Sequence, residues 1–224
     1  MIKKFLLLSA LAVIFSLTAY SQETKVMNGE KTGKIMSAQT VTIDDAVKTA
    51  LNVGAKMPAF TLKDSGGKSV SSADLLKQGN LVVVFYRGSW CPFCNLYLRN
   101  LQKNLPAIKA NGGNLVAVSV ENPDNSMTVA QKNKLDFTVL SDTNLDVARK
   151  FGIVYQMPKE TDELYKTKYE LDIAKHNAME KPELPLSATY IVNRKGKIVY
   201  AFLEPDYKKR AAPEVIIETL AKIK

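Results

Sequence analysis

Two segments of the chain are almost entirely apolar, without the alternation of a half-exposed strand. They are residues 81–86 (Leu-Val-Val-Val-Phe-Tyr) and 115–120 (Leu-Val-Ala-Val-Ser-Val), and this pattern is typical of strands buried on both faces of a parallel sheet. Between them, Leu98, Leu101 and Leu105 recur at helical spacing, which predicts a helix with one apolar face. The order of strand, helix and strand predicts a parallel β-α-β core.

Shorter patterns continue this alternation on both sides of the core. Within the long helix, Pro106 is expected to introduce a kink and Gly112-Gly113 to end the helix. The whole alternation predicts a central sheet that is covered by helices on both faces. The further elements are a helix over 42–51, a strand near Phe60, a turn over 64–68, a helix from Ser72, a helix over 125–134, a strand over 137–140 and a helix over 146–151.

A charged segment, residues 157–184, interrupts the alternation, and a helix is expected within it over 161–176. Two interpretations of this insertion remain open. It forms a lid or partner-binding flap beside the functional site, or it is a solvated helical decoration.

The chain then returns to a regular pattern. Strands over 188–192 and 197–202 are joined by Asn193-Arg194-Lys195-Gly196, and this turn composition predicts an antiparallel hairpin. Pro213 suits the first turn of a closing helix over 212–224.

The first residues have the pattern of an export signal. Lys3 and Lys4 precede an apolar stretch over 5–19, and Ala19-Tyr20-Ser21 fits a small-x-small cleavage site. A signal anchor is the alternative. We expect a signal peptide over 1–21, a flexible lead with a short helix over 22–53, and one domain over 54–224. The mature protein would then be exported to the periplasm or another extracytoplasmic space, without stable membrane association.

The distribution of charge argues against nucleic acid as a partner. The 224 residues carry a formal net charge of +9. Without Lys3 and Lys4, 29 basic residues face 22 acidic ones, which leaves +7. The excess is spread along the chain, without a basic helix interleaved with aromatic residues, so we interpret it as a solvated surface rather than a nucleic-acid interface.

The only two cysteines, Cys91 and Cys94, lie where the first buried strand meets the long helix. With Cys91 as the N-cap and Pro92 at the first helical position, amides of Phe93 or Cys94 could donate to a Cys91 thiolate and lower its pKa. This argument predicts Cys91 as the attacking thiolate. Cys94, one turn inside the helix and less exposed, would then be the resolving thiol that closes a disulfide.

Two other interpretations of the pair are weaker. A structural disulfide between residues so close in sequence would staple almost nothing, and an intrachain zinc site normally needs four ligands, where this chain offers two cysteines and one histidine. No metal or organic cofactor is implied.

Several motifs together resemble the thioredoxin superfamily, and within it the peroxiredoxin-like branch of the alkyl hydroperoxide reductase and thiol-specific antioxidant family. The resemblance extends from Gly54 to the end of the chain, and implies an α/β thioredoxin fold with an N-terminal extension and the charged insertion. The motifs are residues 54–62, 85–94 (Phe-Tyr-Arg-Gly-Ser-Trp-Cys-Pro-Phe-Cys), 137–142, 188–193 and 204–210, the last without a physical role that the sequence supplies.

The resemblance implies a thiol oxidoreductase that reduces hydroperoxides while Cys91 and Cys94 cycle between dithiol and disulfide. An external dithiol donor, such as a thioredoxin-like protein, would restore the pair. Counted from Phe85, however, the peroxiredoxin spacing puts the peroxide-attacking cysteine at Cys94 and places Cys91 where the activating hydroxyl belongs. Which sulfur attacks first therefore stays open. The alternatives are a thiol-disulfide reductase acting on protein disulfides and a non-enzymatic interaction module with a fixed disulfide.

The chain also departs from both family patterns around the cysteines. Arg87 stands where the resemblance implies the peroxiredoxin proline, and Ser187 where thioredoxins have a cis-proline and many peroxiredoxins an arginine. Pro185 is two residues early, and its isomer cannot be decided from sequence. The position of the buried thioredoxin acid is taken by Val84.

Three further side chains are candidates for supporting roles. Arg87 would steady a thiolate or polarise a peroxide, or else form a surface salt bridge. Trp90 would shield the disulfide and shape a partner surface, or else belong to the core. His176, the sole histidine, is predicted to be a surface residue rather than a general base.

Overall fold

One strand, buried along its whole length, forms the centre of the computed structural model, which describes residues 40–223. This strand, β3 (Asn80–Phe85), has six consecutive buried residues. The other strands are β1 (Thr61–Asp64), β2 (Ser69–Ser71), β4 (Gly113–Ser119), β5 (Thr138–Ser141), β6 (Val154–Gln156), β7 (Glu183–Pro185), β8 (Thr189–Val192) and β9 (Ile198–Phe202). The helices are α1 (Ile43–Thr49), α2 (Ser72–Gln78), α3 (Pro92–Ala110), α4 (Pro123–Lys132), α5 (Asp146–Lys150), α6 (Lys159–Lys168), α7 (Ile173–His176) and α8 (Pro213–Lys222).

Seven strands form one mixed sheet in the order β2-β1-β5-β4-β3-β8-β9. The two central pairings, β3 with β4 and β4 with β5, are parallel, whereas β8 runs antiparallel to β3 and β9 antiparallel to β8. The predicted β-α-β core and the predicted hairpin are both confirmed.

Alternate residues of β3 belong to two different hydrophobic cores, one on each face of the sheet. Leu81, Val83 and Phe85 pack with α1, α2 and α5 on one face. Val82 and Val84 pack with α3 and α8 on the other. Because both faces are covered, an alternating polar pattern would bury polar side chains, and the strand is continuously apolar from Leu81 onward for that reason.

The insertion differs from its prediction, because its expected single helix over 161–176 is broken. The α6 helix ends at Lys168, and Glu170 takes a positive φ of 51°. Asp172 then caps α7 by accepting a hydrogen bond from the Lys175 amide at 3.0 Å. An aspartate at this position favours the start of a new helix over the continuation of an old one.

A two-stranded ribbon at the base of the insertion was not predicted. Strands β6 and β7 pair antiparallel, with Val154 opposite Pro185, and the Met157 amide donates to the Pro182 carbonyl at 2.9 Å. Each strand has only three residues, too few for a periodic signal. The ribbon brings the two ends of the insertion together.

Other predictions have mixed outcomes. As predicted, α3 ends before Gly112-Gly113, and it runs through Pro106 without interruption. The peptide bond before Pro185 is trans. The predicted signal over 1–21, and the part of the lead before residue 40, lie outside the described residues. None of the helices between residues 40 and 223 is both long and apolar enough to cross a membrane.

Candidate active site

The two cysteines lie at the junction between β3 and α3. Cys91 is the N-cap of α3 and Pro92 occupies its first turn, as predicted. The Cys91 amide donates to the Gly88 carbonyl at 3.2 Å, and the Cys91 carbonyl accepts from the Asn95 amide at 3.1 Å. Both cysteines are free thiols. The backbone therefore holds Cys91 on both sides.

The cysteines differ in what they face rather than in how exposed they are. Cys91 has a relative exposure of 1% and Cys94 of 0%, so the predicted contrast in exposure is very small. Cys91 lines a cavity of about 800 Å³, whereas Cys94 is not among the lining residues. A small molecule in this cavity would meet the Cys91 sulfur first.

The environment pushes the two thiol pKa values apart. The pKa of Cys91 is lowered to about 6, chiefly by a hydrogen bond from the Cys94 thiol and further by the Cys94 amide, Arg87 and Arg210, while burial acts against this. Burial raises the pKa of Cys94 well above its usual value, and its donation to Cys91 raises it further. This lowering of the Cys91 pKa has the direction that the sequence predicts, but the side chain makes no regular capping hydrogen bond. The neighbouring thiol is the main cause instead.

Arg87 is buried, not a surface residue. Its guanidinium carbon lies 4.1 Å from the ring centre of Tyr207, 4.8 Å from that of Trp90 and 5.8 Å from that of Tyr165. One nitrogen, Nη2, donates to the Tyr165 hydroxyl at 3.2 Å. The surface salt bridge considered from the sequence is wrong, because the cation is held by aromatic faces, which attract positive charge.

Two Arg87 nitrogens have no acceptor. Nε and Nη1 are buried and lack a hydrogen-bond partner among the described residues, as does Nε1 of Trp90. Buried donors normally have partners, so three unused donors close to a cavity-facing thiol indicate a place where an acceptor binds. Arg87 and Trp90 both line the cavity.

Side chains of the insertion form much of the cavity wall. The insertion is therefore not a solvated decoration, and its first half covers the cysteine site. Trp90 packs edge-on against Tyr165 with ring centres 5.8 Å apart, so it joins the site loop to α6. The contributing residues of the insertion are Met157, Pro158, Thr161, Leu164, Tyr165, Tyr169, Glu170 and Leu171.

Arg210 is a site residue that sequence reasoning missed. Its Nη2 lies 3.5 Å from the Cys94 sulfur, although 116 residues separate the two. The available signal was its place in the motif over 204–210, for which no physical role was found. Tyr207 of the same motif lines the cavity.

Ser187 is buried, and its hydroxyl has no partner within the part of the chain that the structure describes. The β3–β8 register pairs Val84 with Thr189. Continued by two residues, this register puts Ser187 opposite Tyr86, at the start of the cysteine loop.

A buried carboxylate lies behind the cysteine loop, and it comes from Glu121 rather than from the Val84 position. Glu121 is fully buried and accepts from the Ser89 amide at 2.7 Å and from the Ser89 hydroxyl at 2.6 Å. His176 Nε2 lies 2.9 Å from the same carboxylate. His176 stays partly exposed, as predicted, but its side chain also joins α7 to the cysteine loop through Glu121.

Comparisons with known proteins agree with this geometry. The AhpC/TSA family profile matches residues 53–201. Peroxiredoxin Bcp of Escherichia coli is 29% identical over 125 residues, which cover 54% of this chain and 80% of the relative. The structure of peroxidoxin BcpB from Mycobacterium tuberculosis superposes with a TM-score of 0.61 at 17% identity, covering 78% of this chain and 99% of that chain. AhpC from Enterococcus faecalis gives a TM-score of 0.58 at 20% identity, covering 77% and 93%. These likenesses confirm the predicted fold.

The His176–Glu121 contact predicts a pH-dependent contribution to stability. The hydrogen bond to Glu121 raises the pKa of His176, with burial acting against it. Because the pKa of His176 is higher in the folded than in the unfolded protein, the contact stabilises the fold fully at pH values below the unfolded-state pKa of about 6.5. This stabilisation is lost as the pH rises through the folded-state pKa. The free energy of unfolding lost in His176→Gln should therefore be larger at about pH 5.5 than at about pH 8.5, by no more than about 1 kcal/mol because the side chain is partly exposed.

Urea unfolding at the two pH values measures this difference. Lys175→Gln, a neighbour on the exposed side of α7, is the matched control and should show none. An equal loss for His176→Gln at both pH values would contradict the ion pair.

Proposed function

Since the chain belongs to the AhpC/TSA family, in which its relative is a peroxiredoxin, we propose that it reduces hydroperoxides with Cys91 as the attacking thiolate and Cys94 as the resolving thiol. The observation that carries this assignment is that Cys91 lines the cavity with a lowered pKa, while Cys94 does neither. A thiolate, not a thiol, is the nucleophile. At neutral pH Cys91 supplies it.

The proposed cycle has three steps: peroxide attack, resolution and reduction. The Cys91 thiolate attacks the terminal oxygen of the hydroperoxide, the O–O bond breaks, and the departing alkoxide takes up a proton to leave as an alcohol. Cys91 is now a sulfenic acid. Cys94 loses its proton and attacks the Cys91 sulfur, the S–O bond breaks, and water leaves. An external dithiol, such as a thioredoxin-like protein, then reduces the disulfide.

This order of attack departs from the register counted from Phe85. That register implies Cys94 as the attacking cysteine, but a peroxide in the cavity would have to pass Cys91 to reach it. Cys94 is also held in its protonated form by burial. The position of Cys91 at the N-cap of α3 and in the cavity wall therefore favours it over Cys94 as the attacking cysteine.

Arg87 is the residue best placed to polarise the peroxide. Burial opposes its charge, but Tyr155 and Tyr165 hold the pKa of Arg87 above its usual value, so it stays a cation. Its unpartnered Nε and Nη1 offer two donors to the peroxide oxygens. Donors already directed at the oxygen on which charge develops are an effective way to lower a barrier.

A second candidate function is thiol-disulfide exchange with proteins. Phe93 and Leu96 leave 41% and 60% of their surfaces exposed on the first turns of α3, next to Cys91. Large apolar side chains exposed beside a reactive thiol suit contact with a protein partner. The intermediate would then be a mixed disulfide on Cys91.

The cysteine assignment predicts different defects for two variants. Cys91→Ser should lose the fast reaction with hydrogen peroxide altogether. Cys94→Ser should keep it and stop at the sulfenic acid, because no resolving thiol remains. The fast rate constant in the wild type should rise with pH and be half-maximal near pH 6, the pKa of Cys91. Stopped-flow fluorescence follows each step, since Trp90 is the only tryptophan.

Dimedone labelling with mass spectrometry identifies the oxidised sulfur. A fast reaction that survives in Cys91→Ser and disappears in Cys94→Ser would reverse the assignment. If peroxide reacts no faster than with a free thiol of similar pKa, while a protein disulfide reacts quickly, thiol-disulfide exchange is the activity. If mild dithiols leave the pair oxidised, the protein is a non-enzymatic interaction module.

The cavity predicts selectivity by size. Thr161 of α6 lines the cavity, whereas Thr167 of the same helix is exposed and does not. Thr161→Trp should fill part of the space and lower kcat/KM for cumene hydroperoxide about tenfold, which corresponds to about 1.4 kcal/mol. Hydrogen peroxide, which needs little room, should be reduced at nearly the wild-type rate. Thr167→Trp is the matched control, and equal losses for both peroxides would contradict the cavity as the binding site.

Export is a separate proposal that rests on the residues over 1–21. Lys3, Lys4 and the apolar stretch over 5–19 support cleavage before Gln22. N-terminal sequencing of the protein recovered from a fractionated native host should begin near Gln22 in the extracytoplasmic fraction. Recovery of a chain that begins at Met1 in the soluble cytoplasmic fraction would contradict this proposal.

A further inference from the structure

The motif over 204–210 forms a turn that directs two of its side chains toward the cysteines. Asp206 organises it, because its side chain accepts from the Lys208 amide at 3.0 Å and its carbonyl from the Lys209 amide at 3.0 Å. Lys208 and Lys209 are exposed, and the Lys208 ammonium lies 5.7 Å from the ring centre of Phe93. Tyr207 and Arg210 instead contact the site, at Arg87 and Cys94 respectively.

The guanidinium of Arg210 is held in place by its surroundings. Nη1 donates to the Lys209 carbonyl at 2.8 Å, and the guanidinium carbon lies 5.7 Å from the ring centre of Tyr97. Tyr97 is itself fixed, since its hydroxyl donates to the Ala211 carbonyl at 3.0 Å. These contacts leave Nη2 directed at the Cys94 sulfur, 3.5 Å away. An arginine restrained in this way loses little freedom when it stabilises an anion.

A thiolate on Cys94 requires a positively charged or hydrogen-bonding partner. Cys94 is fully buried and does not line the cavity, and an unpaired charge in such a place is costly. Arg210 is the one side chain outside the cysteine pair that makes a hydrogen bond to this sulfur within residues 40–223. Its charge lowers the pKa of Cys94 against the larger opposing effect of burial.

Arg210 and Arg87 lie on different sides of the cysteine pair, and the hydrogen bond of Arg210 is to Cys94. Arg87 lines the cavity and Arg210 does not, so a bound peroxide would contact the first and not the second. Arg210 also lies beyond residues 53–201, the part of the chain that matches the family profile. Nothing in the matched region supplies a cation at this position.

We propose that Arg210 is a catalytic residue of the resolving and reducing steps, where it stabilises the Cys94 thiolate. The proposal rests on the proposed function, in which Cys91 attacks the peroxide. In resolution, Cys94 gives up its proton and its sulfur attacks the Cys91 sulfenic acid, so that an S–S bond forms and water leaves. In reduction, a donor thiolate attacks Cys91, the S–S bond breaks, and Cys94 departs as the thiolate beside Arg210. The donor's second thiol then releases Cys91.

The test compares Arg210→Gln, Arg210→Lys and Lys209→Gln in the full chain. Lys209→Gln removes the same charge from the same turn without touching Cys94, and is the matched control. Stopped-flow fluorescence of Trp90 gives the rate constant of peroxide attack. Rapid quenching with dimedone, read by mass spectrometry, gives the decay of the Cys91 sulfenic acid.

Arg210→Gln should slow disulfide formation by about ten- to a hundredfold, the effect of losing one hydrogen bond to a charged group. It should slow peroxide attack much less, because Arg210 is the smallest of the influences that lower the pKa of Cys91. Sulfenic acid should then accumulate, and excess peroxide should convert it to sulfinic acid. The defect should shrink as the pH rises, because hydroxide removes the Cys94 proton without help. Arg210→Lys should restore part of the rate, and Lys209→Gln should behave as wild type.

Three results would overturn the proposal. They are an unchanged resolving rate in Arg210→Gln, a loss that is equal in both steps, or a loss that does not depend on pH, since a merely structural role predicts the last two. Thermal melting of each variant shows whether it folds. Fast oxidation of Cys91→Ser by peroxide is a different result, because it removes the proposed order of attack and says nothing of which sulfur Arg210 contacts.

Discussion

Burial of β3 on both faces is the constraint on which the cysteine site depends. The strand is held between two cores, by Leu81, Val83 and Phe85 on one side and by Val82 and Val84 on the other. It also pairs with a neighbour along each edge. Its carboxyl end is therefore a rigid point, and the loop that leaves it reaches Cys91 within six residues. A reactive group benefits from such a support, because small displacements are costly in reactions that need close alignment.

Charge is arranged around the two sulfurs in an ordered way. Arg87 contacts the cavity side, Arg210 the buried side, and the first turn of α3 adds the positive end of its dipole. Behind this loop, the buried carboxylate of Glu121 accepts two hydrogen bonds from Ser89. The two arginines can then stabilise negative charge on either sulfur in turn.

Much of the fold could be predicted from the sequence, and the reason is local. Continuous apolar runs, Pro92 after Cys91 and the Asn193–Gly196 turn each report on structure within a few residues of themselves. The same local logic predicted the low pKa of Cys91. It failed where a contact joins distant parts of the chain, as between Arg210 and Cys94 or between His176 and Glu121, 55 residues apart. The short ribbon of β6 and β7 was missed because each strand is stabilised by the other and has no pattern of its own.

The ribbon has an evolutionary consequence. Because β6 and β7 bring the two ends of the insertion side by side, the segment over 157–182 leaves and rejoins the domain at one place. Its length and the rest of its composition can change without shifting β3 or α3, provided that Tyr165 and His176 keep their contacts with Arg87 and Glu121. Selection can then retune which molecules reach Cys91 while the groups around the two sulfurs are retained. Access to the cavity and the chemistry of the two sulfurs are in this way encoded largely in different segments of the gene.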